Sequence, residues 1–227
     1  MRFRPVDPAA LPALLADRVA DAAPGGRVRV GLDGDDAVGT ADLAQRLAEA
    51  FQDSGRPATV VSTGWWWRAA ALRLEHGRTD VDSLLTAWVD DDALRRELLD
   101  PWAADGSGRF LARLRDPATD RSVREPYRQA GATEVLVLHG PLLTAGAVRP
   151  DVTVVLRVSD GTLARALPPE RQWWRPAFAR YLAERDPEAD ALAVVSYDHP
   201  RSPAVAGPRQ PAGAAASHAR HGDGSRR

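Results

Sequence analysis

Apolar residues Leu11, Leu14, Leu15 and Val19 recur at helical spacing, and Pro24-Gly25-Gly26 ends the pattern, so residues 8–23 read as an amphipathic helix. An apolar run at 27–32 reads as a first strand. Leu43, Leu47, Ala48 and Phe51 then make a helical stripe that ends near Gly55, and residues 58–62 read as a second short buried strand. Strand, glycine loop, helix and strand in this order form a βαβ unit, whose crossover requires a parallel sheet. The middle of the chain is less regular, with helices over 80–88 and 91–99, a loop over 101–108 and a strand over 109–114. It reads as an insertion over the sheet edge. Residues 134–140 and 152–158 are continuous apolar, β-branched runs, the pattern of strands covered on both faces at a sheet centre. Helical patterns at 160–167 and 174–186 and a strand at 191–196 complete the series. Beyond Pro200 the periodicity stops, and residues 201–227 carry five Arg and one Asp in a Pro/Ala/Gly/Ser-rich background, which predicts a disordered basic tail. The expected organisation is a leading helix (1–25), an α/β domain (26–200) and that tail.

The candidate chemistry begins between the first strand and its helix. Gly34, Asp35, Asp36, Ala37, Val38, Gly39, Thr40 and Ala41 follow the outline G-x-x-x-x-G-K-[ST], in which Lys meets the β/γ-phosphates and a hydroxyl meets Mg²⁺. Here Thr40 replaces the Lys and Ala41 the hydroxyl. The remaining backbone N–H groups and the helix N-terminus are the ordinary parts of an anion cradle. Asp35 and Asp36 oppose an anion with negative charge. Anion binding and a retained structural turn are the two readings of this loop.

Composition narrows the picture. The chain of 227 residues has a formal charge of −1 and no stripe of basic and aromatic residues, which argues against nucleic acid as a partner. Without cysteine there is no disulfide framework, thiolate metal site or thiol nucleophile, which fits a cytoplasmic setting. No stretch approaches the ~18 apolar residues of a membrane span, so no membrane partner is expected. All basic side chains other than histidine are arginine. That bias explains missing lysines in general, but arginine rather than an uncharged threonine would be its usual product at position 40.

The order of motifs resembles the uridine kinase-like branch of P-loop kinases over roughly residues 26–200. The resemblance rests on Leu32-Asp33-Gly34 entering the loop, Ser62 with the tryptophans after the second strand, the run from Arg73 to Asp80, and Trp88-Val89-Asp90. It continues through residues 93–101 and 114–121, the strand ending His139-Gly140, and residues 177–181. It implies a three-layer α/β P-loop NTPase/kinase-like fold with a parallel central sheet, ATP and Mg²⁺ as cofactors, and a nucleotide or nucleoside as small-molecule partner. In that family the second strand leads into S-x-D-x-F-[YW]-R, whose Asp acts on the acceptor hydroxyl. Residues 62–68 keep Ser62, the aromatics and Arg68 but place Gly64 at the acid. The later strand of the family ends in an Asp-Gly pair near the metal, where this chain has His139, a poor partner for hard Mg²⁺.

Four positions therefore depart together: Thr40, Ala41, Gly64 and His139. Phosphoryl transfer depends on positioning and charge stabilisation, so efficient transfer by the family route is not expected, and no residue is assigned as a catalytic group or metal ligand. The resemblance places Trp66, Trp67, Arg68, Glu75, Arg78 and Asp80 on the acceptor side and Arg171 and Arg175 in a lid. Each also has a plainer reading, as core aromatic or surface ion pair. Three adjacent tryptophans on an extended segment cannot all face inward, which suggests a ligand or protein contact there. His139 reads as a hydrogen-bonded histidine or as an acid–base group at a strand end. The leading expectation is a pseudo-kinase kept as a ligand-binding or interaction module. The alternative is an active nucleoside or small-hydroxyl kinase with a non-standard loop.

Overall fold

A computed structural model describes residues 1–208. The strands of the main sheet are β1 (Arg4–Pro5), β2 (Val28–Asp33), β3 (Ala58–Ser62), β4 (Val135–Gly140), β5 (Val152–Arg157), β6 (Ala193–Ser196) and β7 (Ala204–Ala206). The helices that frame them are α1 (Leu11–Ala22), α2 (Thr40–Asp53), α3 (Val81–Thr86), α4 (Asp160–Ala166) and α5 (Arg175–Arg185). Across the sheet the order is β1-β7-β6-β5-β2-β4-β3. The five strands from β6 to β3 are parallel, and β7 and β1 add antiparallel to the β6 edge.

The apolar runs expected at the sheet centre are there. β4 is buried along its whole length, and it and β5 flank β2. One face of the sheet packs on α1 and α2, with Leu11, Leu15, Val19, Leu43, Leu47 and Phe51 set against Val30, Leu32 and Val154. The first helix therefore belongs to the same core as the strands and is not a separate unit. The other face is covered near β3 and β4 by residues from the 63–134 segment, including Trp66, Leu98, Trp102 and Phe110. Helices on both faces of a mostly parallel sheet make the three layers of an α/β fold. The expected helix over 91–99 is irregular, with a π-turn at Arg95–Leu99. The expected strand over 109–114 is reduced to Arg109–Phe110, which pairs with Arg128–Gln129.

The expectation of disorder from residue 201 fails at its start. Val205 is buried, and Ala204–Ala206 pair with β6 on one side and with β1 on the other, through Val195↔Val205 and Arg4↔Val205. The Val6 N–H also donates to the Pro203 carbonyl at 3.0 Å. Three residues are too few to show periodicity in sequence, while the open edge of β6 supplies the pairing that orders them. The remainder of the predicted tail, 209–227, lies outside the described residues.

Candidate functional site

The carboxyl ends of parallel strands are where open α/β sheets place their ligands. The loop at the end of β2 turns sharply through Gly39, whose φ of +94° lies in the left-handed region that favours glycine. Gly34 is also constrained, because a Cβ there would come 2.6 Å from Thr40 Oγ1. The Thr40 side chain is fully buried, and its hydroxyl donates to the Asp35 carbonyl at 2.8 Å. It closes the loop from inside, where a lysine would extend a charge.

The two loop aspartates are engaged by neighbours. Asp35 is buried, with Oδ1 accepting from the Ala37 N–H at 2.8 Å and Oδ2 from Arg171 at 3.1 Å. Burial pushes its carboxyl above the usual range, against the opposing pull of the Ala37 N–H and Arg171. Asp36 Oδ1 lies 3.1 Å from Nδ1 of the buried His139. Val38 is buried and Ala41 half-buried on the helix that follows.

Asp35, Asp36, Gly64, Trp67 and Arg171 line a cavity of about 200 Å³ beside the loop. Gly64 N–H donates to Ser62 Oγ at 3.2 Å, and that oxygen is the nearest atom a Cβ on Gly64 would meet, at 3.3 Å. Arg171 also stacks its guanidinium 5.0 Å from the Trp174 ring centroid. Arg171, for which the family resemblance implies a lid position, thus lines this cavity and pairs with a carboxylate of the loop.

Of the other predicted site residues, Trp66 is fully buried in the core beneath the sheet, whereas Trp65 and Trp67 are half-buried and both line the cavity beside the loop. The segment Thr63–Trp66 is a 3₁₀ turn, not an extended run. Trp67 packs edge-on to Trp88 and Trp174, and the buried Arg73 stacks over Trp67 and Trp88. Arg68 donates its backbone N–H to Trp88 and is half-buried outside the cavity lining. Glu75 and Arg78 are exposed, and Asp80 caps α3 by accepting from the Ser83 N–H at 2.6 Å. These three do not form a polar pocket. Arg175 pairs with Asp160 on α4 instead of reaching the loop.

One pair was missed in the sequence. Asp33, the last residue of β2, is 5% exposed, and its carboxylate accepts from the Tyr181 hydroxyl and from the Leu143 N–H at 3.2 Å. Burial raises its pKa from 3.8 to about 6, with the two donors pulling the other way. Tyr181 is pushed upward in turn by burial and by the charge on Asp33, and its hydroxyl also lies 2.7 Å from Thr144 Oγ1. The signal available in sequence was an acid closing an otherwise apolar strand. Its partner lies on α5, far along the chain.

No family model matches the chain, and no curated protein does. Among solved structures, a possible uridine kinase from Bacillus stearothermophilus superposes with a TM-score of 0.65, covering 81% of this chain and 96% of that one at 19% identity. Another, described as a possible fructose transport system kinase from Silicibacter sp. TM1040, gives a TM-score of 0.46 over 74% and 87% of the two chains at 21% identity. The first likeness establishes the P-loop kinase-like fold that the order of motifs implies. Among the described residues, no helix is long and apolar enough to cross a membrane.

Proposed function

We propose that this is a uridine kinase-like P-loop protein without efficient phosphoryl transfer, retained as a ligand-binding or interaction module. One observation carries the reading: the Asp35 carboxylate takes up both a loop amide and the lid arginine, Arg171. A phosphate entering beside it would meet a buried negative charge and would have to separate that pair. Thr40 and Ala41 contribute no cation or exposed hydroxyl to offset the cost, and His139 holds Asp36 where the family has a metal-side acid. The loop residues therefore do not fit Mg²⁺-nucleotide in the family manner, and no transfer step is derived through it. The cysteine-free sequence supports a cytoplasmic setting. A nucleoside or other small molecule fits the scale of the 200 Å³ cavity, whose wall includes the half-buried Trp65 and Trp67.

Calorimetric titration with ATP, with and without Mg²⁺, tests the reading. The natural sequence is expected to show no micromolar binding. Micromolar binding strengthened by Mg²⁺ would overturn the proposal and favour an active kinase with a non-standard loop. In parallel, the combined variant D35N/T40K/A41T is expected to gain affinity for ATP, because it removes the internal carboxylate and restores the missing cation and hydroxyl.

A further inference from the structure

A second cavity, of about 190 Å³, is lined by α5 and the end of β2 and meets the loop cavity at Asp35, which lines both. Val155 and Val158 line it from β5 and the residues beyond, Leu163 from α4, and Phe178 and Leu182 from α5. The exposed Asp160–Arg175 pair stands at its rim. An apolar cavity of about 150 Å³ accepts benzene, so this one has room for a ring and a short arm. Asp33 and Tyr181 are among its polar lining residues.

The charges around this cavity select the ligand. Arg157 is paired with Glu188, Arg175 with Asp160 and Asp35 with Arg171. Asp33 alone among the charged lining residues is held by neutral groups, the Tyr181 hydroxyl and the Leu143 N–H. A carboxylate buried without a cation is unfavourable, and a cation that arrives with its own apolar body offsets that cost. We propose that the cavity beneath α5 binds a small primary amine carrying one apolar ring, its ammonium on the Asp33 carboxylate and its ring among Val155, Leu163 and Phe178. The cavity borders the phosphate loop at Gly34 and Asp35 but takes no lining from Thr40 or Ala41, so the proposal does not require that ATP bind. The raised pKa of Asp33, about 6, agrees with a carboxylate that lacks a cation and is still ionised at neutral pH.

Benzylamine is the probe, titrated into the full ¹⁵N-labelled chain with amide shifts as the readout, and benzyl alcohol is its neutral counterpart. Saturable benzylamine binding is expected, with shifts centred on α4, α5 and the end of β2 and an affinity about tenfold above that of benzyl alcohol, as a charge-assisted hydrogen bond exceeds a neutral one. D33N should bring benzylamine down to the affinity of the alcohol. A179F, which adds bulk at an exposed position in the cavity wall and leaves Asp33 and the core untouched, should weaken both ligands and keeps the test valid if D33N fails to fold. The proposal is overturned by absence of saturable binding, by equal affinity for the two ligands, by shifts centred on Gly64, Trp67 and Arg171 of the loop cavity, or by binding that A179F leaves unchanged.

Discussion

Replacing Asp33 by Asn should make the folded protein less sensitive to pH in a defined window. The unfolded carboxyl titrates near 3.8, whereas burial at the end of β2 holds the folded one to about 6. Near neutral pH the group is ionised in both states, and the fold bears the cost of a desolvated charge. As pH falls through about 6, the folded protein takes up a proton that the unfolded chain does not yet bind, so this group's contribution to stability rises toward low pH. That contribution is complete below about 3.8 and is lost again as pH climbs through 6. The full preference for the neutral carboxyl is about 3 kcal/mol, of which about 2 kcal/mol develops between roughly pH 7 and pH 4.5. Asn is isosteric, stays neutral throughout and still offers an oxygen to Tyr181 or Leu143. Urea unfolding of both proteins at the two pH values isolates the effect, because every other titrating group is common to them. On lowering the pH, the natural protein should gain about 2 kcal/mol relative to D33N. Stabilities that move in parallel would refute the burial argument for Asp33.

Two further outcomes follow from the packing. Trp66→Ala should cost about 3–5 kcal/mol, measured by denaturant unfolding, because a fully buried indole leaves a cavity beneath the sheet. Trp66→Phe should be far milder, since the indole N–H it removes has no hydrogen-bond partner. Gly39→Ala should lower the melting temperature by the equivalent of about 1–2 kcal/mol, because its φ of +94° is unfavourable for a residue with a Cβ.

The elements that repeat a period over several residues were legible in sequence. Leu43, Leu47 and Phe51 announced α2, and the unbroken apolar runs of β4 and β5 announced the centre of a parallel sheet. What escaped depended on distant neighbours. Val205 is ordered by Val195 and Arg4, and Asp33 takes its environment from Tyr181. The phosphate-loop outline and its missing charges were readable residue by residue. That Asp35 would be the carboxylate reaching Arg171 was not, because nothing local connects the β2 loop with the segment before α5. The tryptophan run divides as three adjacent side chains must, with Trp66 in the core and Trp65 and Trp67 lining the loop cavity; the tight turn that begins where Ser62 Oγ accepts from the Gly64 N–H is what local sequence does not show.

The sheet order also bears on how the chain assembles as it is synthesised. β2 and β3 are joined by a single helix yet never touch, because β4 lies between them, pairing Leu32 with His139 on one side and Ser62 with that same residue on the other. The first strand–helix–strand unit to leave the ribosome therefore has no ladder to close until β4 follows. β1 waits longest, since Arg4 pairs with Val205. An early segment that must hold its apolar faces open in this way folds slowly and is exposed to aggregation. The nascent chain, more than the finished one, is where this protein would need a chaperone.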